Sequence, residues 1–588
     1  MARGRTTNNN SNGKRLTTQQ SVDQAVKSIC DIMRRGNCAG AMQYVPELTW
    51  ILFLRILDER EEREKQDAKA LGVPFRPSLE SPYRWCDWAT PPETLHEGKT
   101  NKRQELREAP PGSFFDFVNN DLLRHLKRLK EQPNATPRQK VISEIMTGVQ
   151  RVRIDTERNF LDVLDKVHEL SSEAVDPTHV FMLSQVYEGL LLDMGEKGND
   201  GGQFFTPRQV IKAMVEVIKP VIDETVYDPG CGTGGFLAQA HEYIKGNLGR
   251  SATPDQLTTL KERTFWGREK ENLIYPIALA NLILHAIDKP NIWHGNTLTD
   301  TPTYSGLFED APQTFDVILT NPPFGGKEGP EAQTRYPYRT GFTQALFLQD
   351  IIIYSLRDGG RCGMVLDEGL LFSNNQDAFV KTKRKLLDDC DLWCVVSLPA
   401  GVFTGAGVKT NLLFFTKGKP THTIWYYDLT DINVRKKTPL TLEQFDDFFR
   451  LLPDRADSAL SWTVDMDERK RVAREEAIPF KEQAATKTEQ ATELRKHIKD
   501  LKQEKPPNKE AIEQAKAAVK KLDSEARELT AKAKAIEDAV YDLKAVNPNK
   551  KQDVDARAPE ELVAVIEERG REIAEALAWL KGGGEKGS

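Results

Sequence analysis

The run Asp228-Pro229-Gly230-Cys231-Gly232-Thr233-Gly234-Gly235-Phe236 decides the reading of this 588-residue chain. Ahead of it, Glu224–Tyr227 is short, part β-branched and aromatic, and predicts a buried strand entering a tight turn. Behind it, the apolar residues from Phe236 to Ile244 fall at helical spacing. Glycines between a strand and a helix let a ligand approach bare backbone, and they set an anionic group at a helix N-terminus. No lysine follows the glycines, which argues against a phosphate-gripping loop.

Downstream, Thr314–Thr320 predicts another strand, which runs into Asn321-Pro322-Pro323-Phe324. Two prolines fix the backbone and bring no donors of their own. The Asn321 side-chain oxygen and the Pro322 carbonyl then form a fixed pair of acceptors beside an aromatic ring. Acceptors suit a planar NH2 group, and the ring suits a planar heterocycle.

These two stretches carry a resemblance. The glycine run resembles the S-adenosylmethionine loop of class I methyltransferases, which implies cofactor contacts at Asp228, Gly230, Thr233, Gly234 and Gly235. The Asn-Pro-Pro-Phe run resembles the catalytic motif of amino-methyltransferases, chiefly DNA adenine-N6 enzymes, which implies catalytic roles for Asn321, Pro322, Pro323 and Phe324. The implied fold is α/β, a Rossmann-like class I core. A third stretch, Gln203-Phe204-Phe205-Thr206-Pro207-Arg208, resembles the segment ahead of the glycine loop in type I restriction-modification M subunits. There it closes over S-adenosylmethionine, with Thr206 near the cofactor carboxylate. The residues also read as a helix N-terminus with Thr206 as N-cap and Pro207 at the first helical position. Both can hold, because a capped N-terminus attracts a carboxylate.

Composition bounds the rest. The length implies about three domains. Charged residues make up 29%, no apolar run reaches the ~18 residues of a membrane helix, and the N-terminal residues lack the apolar stretch of a signal peptide. Seven cysteines are scattered, Cys390 and Cys394 without a zinc-like cluster around them. No metal is expected, and a reducing cytoplasm is the expected location. The net charge of −6 argues against coating DNA non-specifically, but it allows a local basic cleft or a partner that supplies the phosphate contacts.

In chain order, residues 1–16 read as a disordered basic tail that either touches phosphate or stays solvated. Residues 17–175 read as an all-helical domain, with helices from Ser21, at Tyr44 to about Lys65, and around 122–130, 138–147 and 161–170. The Pro- and Trp-rich stretch 72–115 looks irregular. Phe53–Glu61 is similar to the helical N-terminal domain of the same M subunits. Residues 176–465 read as the methyltransferase domain, its sheet completed by Gly360–Leu366, Leu392–Leu398 and a last hairpin strand, Lys409–Phe415. Thr264–Gly267 reads as the second strand. Glu269 just beyond it is placed on the ribose hydroxyls, with a solvated Glu as the alternative. Asn296, after a third strand, is placed by the adenine. Lys327, Arg335 and Arg339 lie in a mobile-looking loop able to reach DNA. Asp367 stands where the family usually carries Pro, with little consequence expected.

The last part, 466–588, is rich in Ala, Glu, Lys and Leu. Ile512–Leu543 alternates apolar spacings of three and four, a heptad seam. A shorter seam, Ala491–Leu501, precedes it across a Pro506-Pro507 turn. The reading is an antiparallel helical hairpin whose longer arm keeps an unpartnered apolar stripe, then a final helix at about 559–580.

The resemblance therefore implies the modification subunit of a type I restriction-modification system, an adenine-specific DNA methyltransferase. Asn321 and the Pro322 carbonyl accept the N6 hydrogens of a base flipped from the duplex, and Phe324 stacks on it. No target-recognition domain is evident in the sequence, so base reading falls to a separate specificity (S) subunit. The implied partners are double-stranded DNA, the S subunit, a second M subunit and a restriction and motor (R) subunit, with no membrane. The alternatives are a methyltransferase for another amine or amide, such as cytosine N4 or protein glutamine, and a non-catalytic scaffold of the same fold.

Overall fold

The computed structural model describes residues 19–38, 41–95, 98, 100–169, 206–299, 306–374, 376–403, 407–435, 438–503, 508–544, 546–549 and 567–574. The expected tail, the boundary near 175, the residues Gln203, Phe204 and Phe205, the Pro506-Pro507 turn and most of the final helix lie outside the described residues.

The N-terminal part is helical: α1 Gln19–Arg35, α2 Ala41–Leu71, α3 Pro137–Thr147 and α4 Glu157–Glu169. Thr136 and Gln139 cap α3 reciprocally, with Pro137 at its first position. Between α2 and α3 the Pro- and Trp-rich stretch forms only short helical turns. Its Trp85 and Trp88 are nevertheless fully buried, and Trp88 stacks on Trp50 of α2 with ring centroids 6.4 Å apart. Irregular backbone is here part of the core, because large aromatic rings anchor it.

The second layer is a nine-stranded sheet of order β3-β2-β1-β4-β5-β7-β6-β8-β9. Its strands are β1 Val226–Asp228, β2 Phe265–Glu269, β3 Asn291–His294, β4 Phe315–Thr320, β5 Leu356–Asp367, β6 Cys390–Ser397, β7 Thr410–Lys417, β8 Thr423–Asp428 and β9 Ser461–Asp465. The first five are mutually parallel, and β7 enters antiparallel between β5 and β6. The sheet does not end at β7 as the sequence reading had it: β8 pairs parallel to β6, and β9 antiparallel to β8.

Helices cover both faces, as a parallel sheet requires. On one face lie α5 Arg208–Ile218, α6 Gly235–Leu248 and α7 Tyr275–Leu284, in one apolar cluster with the N-terminal helices. The N-terminal layer is tied down by Arg60 of α2 and Arg138 of α3, which converge on Asp288 at 3.0 and 2.8 Å. The other face carries α8 Thr343–Asp350 and α9 Asp377–Asp389.

The C-terminal hairpin is α10 Met466–Gln503 and α11 Lys509–Ala539. Its first arm spans 38 residues, longer than the second, so the long seam has a partner along its whole length. Ala477, Ala484, Ala491 and Ile498 recur every seventh residue and are buried, as are Ile512, Ala526 and Ala533 in the other arm. The unpartnered stripe expected from the sequence is therefore absent. Its partner was missed because alanines make a faint seam in sequence, yet they let two helices pack closely. Past α11, Val540 and Leu543 plug into the second apolar cluster. Leu543 donates its N–H to the Leu371 carbonyl at 3.3 Å and accepts from the Tyr426 hydroxyl at 3.0 Å.

Among the described residues, no helix is long and apolar enough to cross a membrane, and no group of His, Cys, Asp and Glu side chains gathers as a metal site.

Candidate active site

One cavity opens across the carboxyl ends of β4, β1, β2 and β3, the edge where open α/β sheets bind ligands. At β1, Asp228 closes the strand and its Oδ1 accepts the Gly230 N–H at 3.1 Å. The glycine run then turns into α6, and Asn281 of α7 holds it by donating to the Thr233 carbonyl at 2.9 Å. Gly230, Thr233 and Gly235 line the cavity; Gly234 does not. Gly234 sits at φ +79°, and a Cβ there would lie 3.1 Å from Leu282 of α7. Backbone conformation and helix packing, rather than ligand approach, require this glycine. Gly234→Ala is expected to cost at least about 1–2 kcal/mol for the left-handed backbone, read as a lowered thermal midpoint.

Glu269 is the last residue of β2 rather than a residue beyond it, because its register partner is His294. Its carboxylate is buried, accepting Gly232 N–H at 2.9 Å and Glu271 N–H at 2.8 Å. Burial pushes both Glu269 and Asp228 up to about 7, against those backbone donors. Two opposed pH effects follow. A protonated Glu269 loses acceptor capacity toward hydroxyls, so ligand affinity should fall as pH drops from 8 to 6. The raised values favour the folded, ligand-free protein at low pH, and that contribution is lost as pH rises through about 7. Calorimetric titration and thermal melts across this range check both, and Glu269→Gln should flatten its share of each.

Asn296 lies two residues past β3. Its Oδ1 accepts Leu298 N–H at 2.9 Å, and its Nδ2 donates to Glu328 at 3.4 Å. Glu328 belongs to the segment after Asn321–Phe324, which is folded rather than loose: Lys327 and Phe342 form an antiparallel bridge around a short helix, Pro330–Arg335. Arg335 turns inward to the Thr297 carbonyl at 3.0 Å, whereas Lys327 and Arg339 stay exposed.

Asn321 follows β4 directly. Its Nδ2 donates to the Thr206 hydroxyl at 3.1 Å, and its Oδ1 is buried with no hydrogen-bond partner. Thr206 is not the cap of α5. Pro207 takes that position with extended backbone and accepts the Ile211 N–H, so the helix starts one residue later, at Arg208. That shift leaves the Thr206 hydroxyl to Asn321. Thr206, Arg208, Asn321 and Pro323 line the cavity, while Pro207, Pro322 and Phe324 do not. The Pro322 carbonyl accepts from Gln344 Nε2 at 3.4 Å, and Gln344 Oε1 accepts the Asp367 N–H at 3.1 Å. Asp367 in turn caps a short helix through Leu370 N–H at 2.9 Å. Phe324 is buried, edge-to-face with Phe403 at 5.2 Å. Sequence reasoning missed Asn281, Gln344 and Glu328, because a polar residue in a helix or loop shows its partner only in three dimensions.

The lining offers carboxylates to hydroxyls, a helix N-terminus with Arg208 to a carboxylate, and an unpaired buried acceptor at Asn321. These groups fit S-adenosylmethionine, which carries a ribose diol, an amino-acid end and a purine. Strand order and cavity together define a class I S-adenosylmethionine-dependent methyltransferase. The family model for N-6 DNA methylases matches residues 179–491, and that for the HsdM N-terminal domain matches 22–167. The chain is 34% identical over 470 residues to the EcoEI type I restriction enzyme methylase subunit of Escherichia coli, covering 76% of this chain and 88% of that protein. Among solved structures, a modification subunit assigned to a type I restriction enzyme of Vibrio vulnificus YJ016 matches with TM-score 0.64 at 34% identity, over 77% of this chain and 93% of that one. A chain from a type I R-M system assembly matches with TM-score 0.58 at 31% identity, over 97% and 100%. The chain belongs to the N-6 DNA methylase family, among the type I restriction-modification methylase subunits. It is an adenine-specific DNA methyltransferase, and S-adenosylmethionine is its methyl donor.

Proposed function

We propose that Asn321 is the catalytic acceptor for the N6 amino group of an adenine flipped out of DNA. The observation that carries this reading is the buried, partnerless Oδ1 of Asn321, aimed by the bond from its own Nδ2 to Thr206. An unmet buried acceptor is costly in a stable fold and marks a place for a donor. The adenine N6 lone pair is delocalised into the ring, so the nitrogen is a poor nucleophile. Asn321 and the Pro322 carbonyl, which Gln344 holds in place, accept its two hydrogens and stabilise the positive charge that grows as nitrogen attacks. S-adenosylmethionine supplies an electrophilic methyl group. Asp228, Glu269, Asn296, Thr233 and the backbone around Gly230 and Gly235 hold the donor in line. Phe324 is buried against Phe403, so a flipped base that stacks on it, offsetting about 1–3 kcal/mol of the flipping cost, has first to uncover the ring.

Base reading falls to a separate specificity subunit. Residues 176–465 then do the chemistry, while the helical residues 17–175 and the hairpin within 466–588 organise the complex. That complex pairs two such chains with one specificity subunit on double-stranded DNA, and the restriction subunit adds the motor. Co-expression with a candidate specificity subunit, followed by sequencing of modified bases, tests the reading. N6-methyladenine at one sequence, lost when the specificity subunit is omitted, is the expected result. N4-methylcytosine, or modification without that subunit, would overturn it.

A further inference from the structure

Glu328 has no part in the reaction described above, yet its carboxylate lines the same cavity. The strands give it an address. Asn321 follows β4, Glu269 ends β2, and Asn296 lies beyond β3. With strands about 4.8 Å apart, three spacings separate β4 from β3, roughly 14 Å. A donor with its reacting end at Asn321 and its ribose at Glu269 therefore sets its base at the β3 side. Glu328 reaches that side from the segment following β4, and Asn296 Nδ2 donates to its Oε2 at 3.4 Å. On the other oxygen, Thr343 Oγ1 donates to Oε1 at 3.3 Å. The backbone of Glu328 is fixed at both ends, its N–H to the Gly341 carbonyl at 2.8 Å and its carbonyl to Gln333 Nε2 at 2.8 Å.

We infer that Glu328 is a specificity residue for the cofactor's purine, accepting a hydrogen bond from its 6-amino group. The inference rests on the cofactor placement proposed above. An ionised carboxylate only accepts, and its two oxygens hold about four lone-pair sites, so the two long bonds from Asn296 and Thr343 leave it capacity. A purine with N6–H2 supplies a donor, and one without it leaves the carboxylate facing nothing that donates. Because Glu328 is in the segment that continues from Asn321–Phe324, the contact also ties the catalytic segment to the bound purine.

The test is a cycle of two proteins and two ligands by calorimetry: the full chain and Glu328→Met, each titrated with S-adenosylhomocysteine and with its analogue bearing hydrogen in place of the 6-amino group. The wild-type chain should prefer the amino ligand by about tenfold to a hundredfold. Glu328→Met should weaken the amino ligand alone and shrink that preference to within about threefold, and Glu328→Gln, which keeps an acceptor, should restore most of it. An equal preference in wild type and Glu328→Met would overturn the inference even if both bind weakly, because general disturbance of the loop cancels in the ratio. Failure of the wild-type chain to bind S-adenosylhomocysteine at all would instead overturn the cofactor placement.

Discussion

Asn321→Ala should lower DNA methylation by at least about 10²–10³-fold, the usual loss when one preorganised polar group is removed from a developing charge. Affinity for S-adenosylmethionine should stay within about threefold of wild type, since the proposed role of the substituted atoms is toward the amino group of the base. The substitution also strips Thr206 of its donor, but a hydroxyl at the cavity edge can turn to water, so the local cost is about 1 kcal/mol. Single-turnover methylation by the assembled enzyme, run beside calorimetric titration of the cofactor, separates the two quantities. Near-wild-type turnover would sink the catalytic assignment. A parallel collapse of cofactor affinity would mean that Asn321 holds the cofactor rather than the base.

Removing everything after Gln503 should unfold or severely weaken the catalytic domain. A coiled-coil appendage is normally dispensable to the domain that carries it. Here the return arm ends by burying Val540 and Leu543 in the sheet's second apolar cluster, and loss of each such side chain costs about 1–4 kcal/mol, a large share of a typical folding free energy. Leu543→Ala alone should lower stability by about 2–4 kcal/mol. Deleting only the tip, residues 489–529, with a short flexible joint, keeps the Lys481–Glu537 pair and the buried Ala477 and Ala533. That variant should melt within a few degrees of wild type and bind cofactor, but, on the proposal that the hairpin organises the complex, no longer assemble with the proposed specificity subunit. Normal assembly by the tip deletion would exclude a docking role for the tip, and a stable, cofactor-binding truncation at 503 would exclude the plug.

Much of this protein was legible along the chain. Strand, glycine run and helix follow one another locally, and the Asn321-Pro322-Pro323-Phe324 motif lies in four consecutive residues at the end of a strand. Period and turn residues specify such units without reference to distant sequence. The heptad seam of the second hairpin arm was equally plain, because large apolar residues carry it. Tertiary structure decided what depends on residues far apart. It fixed the start of α5 at Arg208, which hands the Thr206 hydroxyl to Asn321 across more than a hundred residues. It gave Gly234 a packing reason through Leu282, and it brought Glu328 back over the sheet to Asn296. It also added β8 and β9 and gave the long seam a 38-residue arm to pack against. Periodicity reports which face of an element is buried, but the partner that buries it, and the polar atom left unmet in the cavity, exist only once the chain has closed on itself.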